Sequence, residues 1–361
     1  MHTVKFSSAD KNQHEFVISL RKSVNEYFKK NNISTKANAT MVIKSIILIS
    51  LYLTPFIVLL SVSVAPVIAF GLVLIMGIGV AGIGMGIMHD ACHGAYSKHQ
   101  WVNHLMAGTI YLLGSNVLNW KIQHNVLHHT FTNLPGMDED IDSKGPIRLS
   151  ETLPLKKYHR FQYLYAFFFY GLMTLTTFFN DFTRLAHYNK SGLVKSQGKR
   201  LRREFLKMTF RKVIYLVVLL GLPLWLTEYN FWIILSAFVF MHWIASIILS
   251  FVFQMAHVVE GVAQPPNVKE SVESEWMVHQ LNTTADFAKN NKLWNWFLGG
   301  LNFQVEHHLF PNICHVHYKN IAPIVEKTAK QYGINYNEMP SFASAIASHF
   351  NRLKYLGHAQ V

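Results

Sequence analysis

Eight of the chain's 20 histidines fall in short groups whose spacing suits metal binding. They are His89, His93, His124, His128, His129, His257, His307 and His308. Side chains four residues apart lie on one face of a helix, so His89 and His93 can present two imidazoles to the same ion. Eight imidazoles are more than one tetrahedral or octahedral ion can use. The pattern therefore predicts two metal ions held in one site.

Ligand type does not name the metal, because imidazole binds iron, zinc, copper and nickel. Gln304 shares a helical face with His307 and His308, and its amide could ligate a metal or hydrogen-bond a ligand. Other nearby groups could orient the imidazoles by accepting their second N–H. These further candidates are Asp90, Asp138, Asp140, Glu306 and His315. No catalytic side chain separate from the metal ligands is predicted.

The composition indicates a membrane protein. Of 361 residues, 50% are hydrophobic and only 15% are charged, which is apolar for a soluble protein. A net charge of +13 could indicate nucleic-acid binding, but in a membrane protein it more often marks the cytoplasmic side. Residues 1–40 are polar, so no cleavable signal peptide is expected. Two cysteines, Cys92 and Cys314, cannot form a disulfide framework and are expected to be reduced.

Four apolar stretches reach the length of about 20 residues that a bilayer-spanning helix needs. They cover residues 41–60, 66–88, 208–226 and 231–256, and short turns join them into two hairpins. Two more apolar stretches are ambiguous. Residues 105–118 are too few to span and are expected to be re-entrant or interfacial. Residues 161–180 are long enough, but the charges flanking them favour a position in the interface or against the bundle.

The distribution of basic residues predicts the orientation of the spans. Residues 181–212 contain ten Lys or Arg and two acidic residues, and the N-terminal segment is also basic. Both are therefore expected in the cytoplasm. Two complete hairpins return the chain to that side, so all eight histidines can converge at the cytoplasmic membrane surface. His242 lies about 22 Å deeper than His257 along its span and is expected to hydrogen-bond between helices instead.

We therefore predict an all-α integral membrane protein with four transmembrane helices in two hairpins, interfacial helices and a cytosolic, histidine-rich cap that holds two metal ions. Residues 1–40 are expected to form a cytosolic N-terminal segment, and residues 41–361 a single membrane domain. The C-terminal region 311–361 is expected to form cytosolic helices. Ser341 is a plausible N-cap for a helix that begins at Phe342.

Gly77, Gly79 and Gly82 match the glycine spacing of a dinucleotide-binding loop. That loop follows a strand and opens a helix, whereas these glycines lie inside a predicted membrane span. They are therefore expected to allow close helix packing or to leave room for a chain-like ligand.

The histidine groups and their neighbours, taken together, resemble the membrane-bound fatty acid desaturases. Asn119-Trp-Lys-Ile-Gln-His124 leads into the second group, and the third group lies in Phe303-Gln-Val-Glu-His-His-Leu-Phe-Pro311. A third group that opens with glutamine, here Gln304, is typical of the front-end and linoleoyl-CoA branch. The His-Pro-Gly-Gly motif of the fused cytochrome domain that many front-end members carry does not occur in this sequence.

The resemblance implies a non-haem centre of two iron ions (Fe2+/Fe3+), molecular oxygen, and an acyl-lipid or acyl-CoA substrate that receives a cis double bond. In the front-end case the new bond lies between an existing double bond and the carboxyl end. Electrons would come from a separate donor protein, a ferredoxin or a b-type cytochrome with its reductase. The protein would lie among the lipids of a bacterial inner membrane or the endoplasmic reticulum, with both termini in the cytoplasm.

Other functions remain compatible with the residues. A membrane di-iron hydroxylase would use the same histidine groups, and its product, an alcohol instead of an alkene, separates it from a desaturase. A metal transporter would place ligands along a path through the bilayer, whereas the expected ligands lie at one surface. A nucleic-acid binder is least favoured, because the basic residues flank membrane spans.

Overall fold

Helices make up almost all of the regular structure in the residues that the computed structural model describes, which are 4–142, 145–265, 268 and 270–359. In chain order they are α1 (Lys11–Lys30), α2 (Ala39–Ser61), α3 (Pro66–Cys92), α4 (Gln100–Ala107), α5 (residues 117–131), α6 (Gln162–Tyr170), α7 (Met173–Lys190), α8 (Leu193–Ser196), α9 (Leu201–Leu226), α10 (Phe231–His257), α11 (Trp276–Thr283), α12 (Lys292–Phe297), α13 (Gln304–Leu309), α14 (Tyr318–Gln331) and α15 (Phe342–Leu356). Two parallel strand pairs, β1 (Lys5–Phe6) with β2 (Ser271–Val272) and β3 (Asp286–Phe287) with β4 (Glu338–Met339), add only local links. The predicted all-α class is confirmed.

Within the described residues, α2, α3, α9 and α10 are the helices long and apolar enough to cross a membrane. The four predicted spans are therefore confirmed, but their ends differ. The second span runs on to Cys92 and the fourth to His257, so His89 lies within the second span helix and His257 ends the fourth. The third span begins at Leu201 instead of residue 208. Its first turns mix Phe205 with Lys and Arg, so an apolar run alone does not reveal them.

Glycines allow the close contacts of the first hairpin, as the sequence predicted. A Cβ atom on Gly79 would lie 2.8 Å from the backbone nitrogen of Tyr52 in α2. A Cβ atom on Gly77 would lie 2.9 Å from the carbonyl oxygen of Met241 in α10. Backbone atoms cannot move aside as a flexible side chain can. Hydrogen is therefore the largest substituent that these positions accept, and α3 packs directly on both neighbours.

Neither ambiguous apolar stretch forms a spanning helix. Residues 105–118 pass from α4 through a 3₁₀ turn to Gly114, whose φ of 72° ends the turn. Residues 161–180 are divided between α6 and α7 at Gly171. Gly171 lies against α10, where any Cβ atom would overlap the indole of Trp243. The second stretch thus packs against the bundle.

Shorter helices cover the histidine-bearing ends of the spans. The N-terminal segment contains an amphipathic helix, α1, which buries Phe16, Leu20 and Phe28 in a core shared with α11 and α14. The C-terminal region forms α14 and α15 as predicted, and the Oγ atom of Ser341 accepts from the backbone N–H of Ser344 to cap α15. The N-terminal helix α1 and the C-terminal helix α14 therefore share one core, while α15 packs with the main core of the spans.

We expect Gly79→Ala to lower the free energy of unfolding by about 1–3 kcal/mol, because the added methyl group overpacks the contact with α2. Denaturant unfolding of the purified protein measures this loss. Gly71→Ala in the same helix is the control, since a Cβ atom there meets no atom within 4 Å. Equal stabilities of the two variants would contradict the close-packing interpretation.

Candidate metal centre

Wide π-helical turns lead into the first two histidine groups. In α3 the turn Ile83–Met88 ends directly before His89, and in α5 the segment Lys121–His128 is π-helical. A π turn rotates the side chains that follow it around the helix axis and is frequent at functional sites. These turns thus set where the imidazoles point. The sequence does not reveal these turns, because no residue type marks a π turn.

Four histidines form the first cluster, termed group A: His89, His93, His124 and His307, whose ligand atoms all lie within 4.8 Å of one another. The Nε2 atoms of His89 and His124 are 3.0 Å apart. The indole of Trp120 covers this group, with its ring centroid 4.4 Å from that of His124. Ligands from α3, α5 and α13 therefore meet in one small, ring-lined volume.

A second cluster, termed group B, contains His128, His257 and His308 within the same 4.8 Å limit. His128 Nδ1 lies 2.9 Å from Asp138 Oδ2, and His308 Nδ1 lies 2.7 Å from Gln280 Oε1, so each ring donates from Nδ1. In the neutral rings both Nε2 atoms then carry lone pairs, and they lie 3.3 Å apart. Two such acceptors repel unless a proton or a metal ion lies between them, and paired metal ligands have this arrangement.

His129 lies where the two groups meet. Its Nε2 atom is 3.2 Å from Nε2 of His124 and 2.9 Å from Nε2 of His307. It is also within ligand distance of His308 in group B. The structure therefore brings all eight predicted histidines into one continuous cluster, and their side chains are buried or half-buried.

Burial sets the charge of these rings. Together with the neighbouring imidazoles, it lowers the pKa of His124, His129 and His308 well below the ordinary histidine value. His128 differs: burial lowers its pKa, but the carboxylates of Asp138 and Asp140 together outweigh burial and raise it above the ordinary value. A neutral ring offers a lone pair, and a ring with a carboxylate partner is a more basic ligand. Both conditions suit metal binding.

The turn that follows the second histidine group holds Asp138 in place. The backbone N–H groups of Asn133 and Asp140 donate to its carboxylate at 2.9 and 3.0 Å. Asn133 adopts a left-handed backbone, φ 56°, which asparagine tolerates better than most residues. Its Nδ2 atom donates to the carbonyl of His257 at 2.9 Å. This turn therefore ties α5 to the end of α10.

The sequence pattern does not single out Gln280 and Thr132 as residues that orient a histidine. The Oγ1 atom of Thr132 donates to Oε1 of Gln280 at 2.8 Å, and the same oxygen accepts from His308. Trp276, on the same helix as Gln280, donates from Nε1 to the carbonyl of His129 at 3.2 Å. A lone buried amide has no spacing pattern that marks it as an orienting group. Only the folded structure shows that this amide contacts a metal-ligand candidate.

Gln304 lies beside group B. Its Nε2 atom is 3.0 Å from Nε2 of His257, and its Oε1 atom is buried without a hydrogen-bond partner. His257 donates from Nδ1 to the carbonyl of Thr283 at 3.3 Å, so its Nε2 atom faces Gln304 with a lone pair. A half-turn of the amide would present the oxygen at the same place. Either arrangement adds a fourth polar group to group B.

Asp90 and His315 form a separate buried cluster next to group A. Oδ2 of Asp90 accepts from Nδ1 of His315 at 2.8 Å and from the thiol of Cys314 at 2.9 Å. The Nζ atom of Lys44 lies 2.9 Å from Nε2 of His315. Both nitrogens of His315 are thus engaged, which leaves no lone pair for a metal in group A or B. The cysteines are free thiols, as expected.

Glu306 also contacts groups other than the imidazoles. The hydroxyl of Tyr336 lies 3.0 Å from Oε1 of Glu306 and 2.6 Å from Oδ2 of Asp286. Burial and the neighbouring Asp286 carboxylate raise the pKa of Glu306 well above its ordinary value. Asp286 in turn accepts from the backbone N–H of Val305 at 2.9 Å. These groups hold the first turn of α13, which carries His307 and His308.

His242 lies apart from the cluster and joins helices, as its depth predicted. Its Nδ1 atom is 2.8 Å from the hydroxyl of Thr174 in α7. Its Nε2 atom is 2.8 Å from the hydroxyl of Tyr215 in α9. One ring therefore connects three helices inside the membrane-spanning region.

Comparison with known proteins adds independent information. A family model described as fatty acid desaturase matches residues 36–340. An acyl-lipid (8-3)-desaturase of Physcomitrium patens is 35% identical over 353 residues, covering 97% of this chain and 73% of the moss protein. An sn-1 linoleoyl-lipid 6-desaturase of Arthrospira platensis is 32% identical over 341 residues, covering 93% of this chain and 90% of the relative. A protein of the same name from Synechocystis sp. is 32% identical over 343 residues and covers 94% and 95% of the two chains.

We expect Gln280→Leu to weaken metal binding about 10- to 100-fold, because His308 loses the acceptor that fixes its orientation. Metal titration of the purified variant measures the affinity. Gln162→Leu is the matched control, since Gln162 is an equally buried amide bonded to the backbone of Arg148, and its loss should affect stability alone. Unchanged affinity in Gln280→Leu would show that Gln280 does not orient a ligand.

Proposed function

Because this chain belongs to the fatty acid desaturase family, we propose that it inserts a cis double bond into an acyl chain at a centre of two iron ions. The chain is an oxidoreductase of the membrane with a histidine-rich metal site. The proposal of two iron ions rests on one observation: groups A and B lie side by side, and their imidazoles could supply ligands for two neighbouring ions. A single ion in one group would leave the buried rings of the other group without a metal to bind.

The donor atoms fit iron in both groups. His89, His93, His124 and His307 would hold one ion, and a separate set would hold the other. That set is His128, His257 and His308, with Gln304 as an additional ligand or hydrogen-bond donor. His129, which lies where the two groups meet, would be within reach of either ion. The chemistry of the neutral nitrogen donors suits Fe2+. When bound, iron with dioxygen supplies an oxidant strong enough for an unactivated methylene, which acids and bases cannot provide.

The protein's own residues position the ligands and exclude water. Asp138, Gln280 and the carbonyl of Thr283 each accept an Nδ1–H and so direct the opposite nitrogen into group B. The rings of Trp120 and Phe253 cover the imidazoles, with the Phe253 centroid 5.0 Å from that of His128. A site closed by such rings keeps reactive species away from bulk water.

We propose an acyl-lipid substrate and front-end selectivity. The Physcomitrium relative is named an acyl-lipid desaturase and the Arthrospira relative a linoleoyl-lipid desaturase. Gln304 opens the third histidine group, as in the front-end branch. An acyl-CoA substrate remains the alternative carrier. The reaction would also use molecular oxygen and electrons from a separate donor protein, a ferredoxin or a b-type cytochrome with its reductase.

The orientation is part of the same proposal. The basic residues between 181 and 212 lie next to the histidine-bearing ends of the spans, which favours the cytoplasmic side for the metal centre and both termini. The membrane would be a bacterial inner membrane or the endoplasmic reticulum. A metal transporter is disfavoured, because the clustered histidines lie at one level instead of along a path through the bilayer.

We expect cells that express the chain and receive linoleate to form a product with a new double bond on the carboxyl side of the existing ones. Mass spectrometric location of the double bonds, against cells with an empty vector, tests this. A bond on the methyl side, or a strong preference for saturated chains, would refute the front-end assignment and leave desaturation intact. An alcohol product would instead identify a hydroxylase.

We expect the purified protein to contain two iron atoms per chain and His308→Ala to lose iron and turnover, because a ligand of group B is removed. Metal analysis of monodisperse protein, paired with activity, measures both. His242→Ala is the control and should keep its iron with a stability loss of about 1 kcal/mol, the size of an interhelical hydrogen bond. One metal ion per active chain, or full iron in His308→Ala, would contradict the two-ion proposal.

A further inference from the structure

A group of unpaired cations lies where α9 enters the membrane. The segment from 190 to 203, termed the basic corner, exposes Lys190, Lys195, Lys199, Arg200, Arg202 and Arg203. None of these six side chains forms an ion pair with another described residue. Glu204, which follows them, is buried and pairs with Lys207 at 3.1 Å. The basic corner therefore presents six positive charges without an acidic partner.

The basic corner continues directly into a lipid-facing surface. Leu206, Phe210 and Val213 are 61%, 66% and 53% exposed, and α9 is the least buried of the four spans. Trp225, near the other end of α9, is 79% exposed. At helical rise, Arg203 and Trp225 are about 33 Å apart, close to the thickness of a bilayer's hydrocarbon core. The cations therefore lie at the level of lipid headgroups.

We propose that the basic corner binds the headgroups of anionic phospholipids. Lysine and arginine can lay their aliphatic stems along apolar surface while the charged ends reach phosphate oxygens. The guanidinium of arginine also matches phosphate with two parallel hydrogen bonds. An acidic electron donor would need cations that face away from the membrane. Arg200, Arg202 and Arg203 lie instead within two helical turns of the exposed Leu206, which favours the lipid.

Lipid binding at this corner also bears on the metal centre. Val194 in α8 and Met208 in α9 belong to the same hydrophobic cluster as Ile122 and Leu127 of α5. Ile122 and Leu127 lie on either side of His124 along α5. A headgroup that holds the basic corner at the membrane surface therefore steadies the helix that carries the second histidine group.

A buried ion pair reinforces this connection. The Nζ atom of Lys212 in α9 donates to the carbonyl of Gly114 at 2.9 Å and to the carboxylate of Asp181 in α7 at 2.8 Å. Asn119, in the first turn of α5, donates to the same carboxyl group at 2.8 Å. Movement of α9 relative to the bilayer is thus transmitted to α5 through bonded groups as well as through apolar packing.

The test measures which lipids stay with the protein. The full-length protein is extracted from nanodiscs that contain equal amounts of phosphatidylglycerol and phosphatidylcholine, and the retained lipids are quantified by native mass spectrometry. We expect at least about fivefold enrichment of phosphatidylglycerol, the effect of a single cation near an anionic surface. The triple variant Arg200→Gln, Arg202→Gln, Arg203→Gln removes three of the six cations and should lower the wild-type enrichment at least about fivefold. The charge-matched control on α1, Arg21→Gln, Lys29→Gln, Lys30→Gln, should match the wild type.

A second readout, which does not use activity, tests whether the bound lipid stabilises the fold. Phosphatidylglycerol should raise the thermal midpoint of the wild type and of the α1 control, and leave the corner variant unchanged. Equal enrichment, or an equal rise of the midpoint, in the corner variant would overturn the proposal. A corner variant that keeps its lipids but loses reduction by an acidic donor protein would identify a protein-docking surface and overturn it equally.

Discussion

The main constraint on this fold is that it buries a cluster of imidazoles whose nitrogen atoms must stay free to bind metal ions. The Nε2 atoms of His128 and His308 face each other at 3.3 Å, and Nε2 of His93 has no hydrogen-bond partner. Buried polar atoms without partners destabilise a fold unless a bound group satisfies them. Packing elsewhere must therefore supply the stability, and every ligand-bearing segment must end at the same level. Two hairpins of similar length meet that requirement, because each returns the chain to the side where it began.

The imidazoles are held from outside the cluster. Asp138 takes its position from the backbone N–H groups of a tight turn, and Gln280 from the hydroxyl of Thr132. Each then fixes one ring through Nδ1, so the opposite nitrogen is directed inward before any metal arrives. Preorganisation of this kind lowers the cost of ordering ligands on binding.

The sequence revealed the features that repeat along the chain. Apolar runs predict the spans, and histidines paired at helical spacing predict the ligand groups. The start of α9 at Leu201 was hidden, since charged and apolar side chains alternate around its first turns. The π turns before His89 and around His124 were hidden too, because no residue type marks them. Gln280 acts through one contact between segments distant in sequence, and only the fold creates that contact.

Two buried lysines fix the position of each hairpin relative to the segments that carry the histidines. Lys44 lies on α2, the first helix of its hairpin, and reaches the imidazole of His315, which holds Asp90 beside the first histidine group. Lys212 occupies the corresponding place on α9 and binds Asp181, which accepts from Asn119 ahead of the second group.

In the sequence, Lys44 only interrupts an apolar run. In the fold, loss of its partners would leave a charge buried in apolar surroundings, which is strongly destabilising. The same holds for Lys212, so each hairpin has one rotation and one depth at which its lysine is satisfied. That position also sets the ligand segments: Asp90 is the residue after His89, and Asn119 opens the helix that carries His124. The placement of charge within the spans therefore helps to determine the geometry of the metal centre.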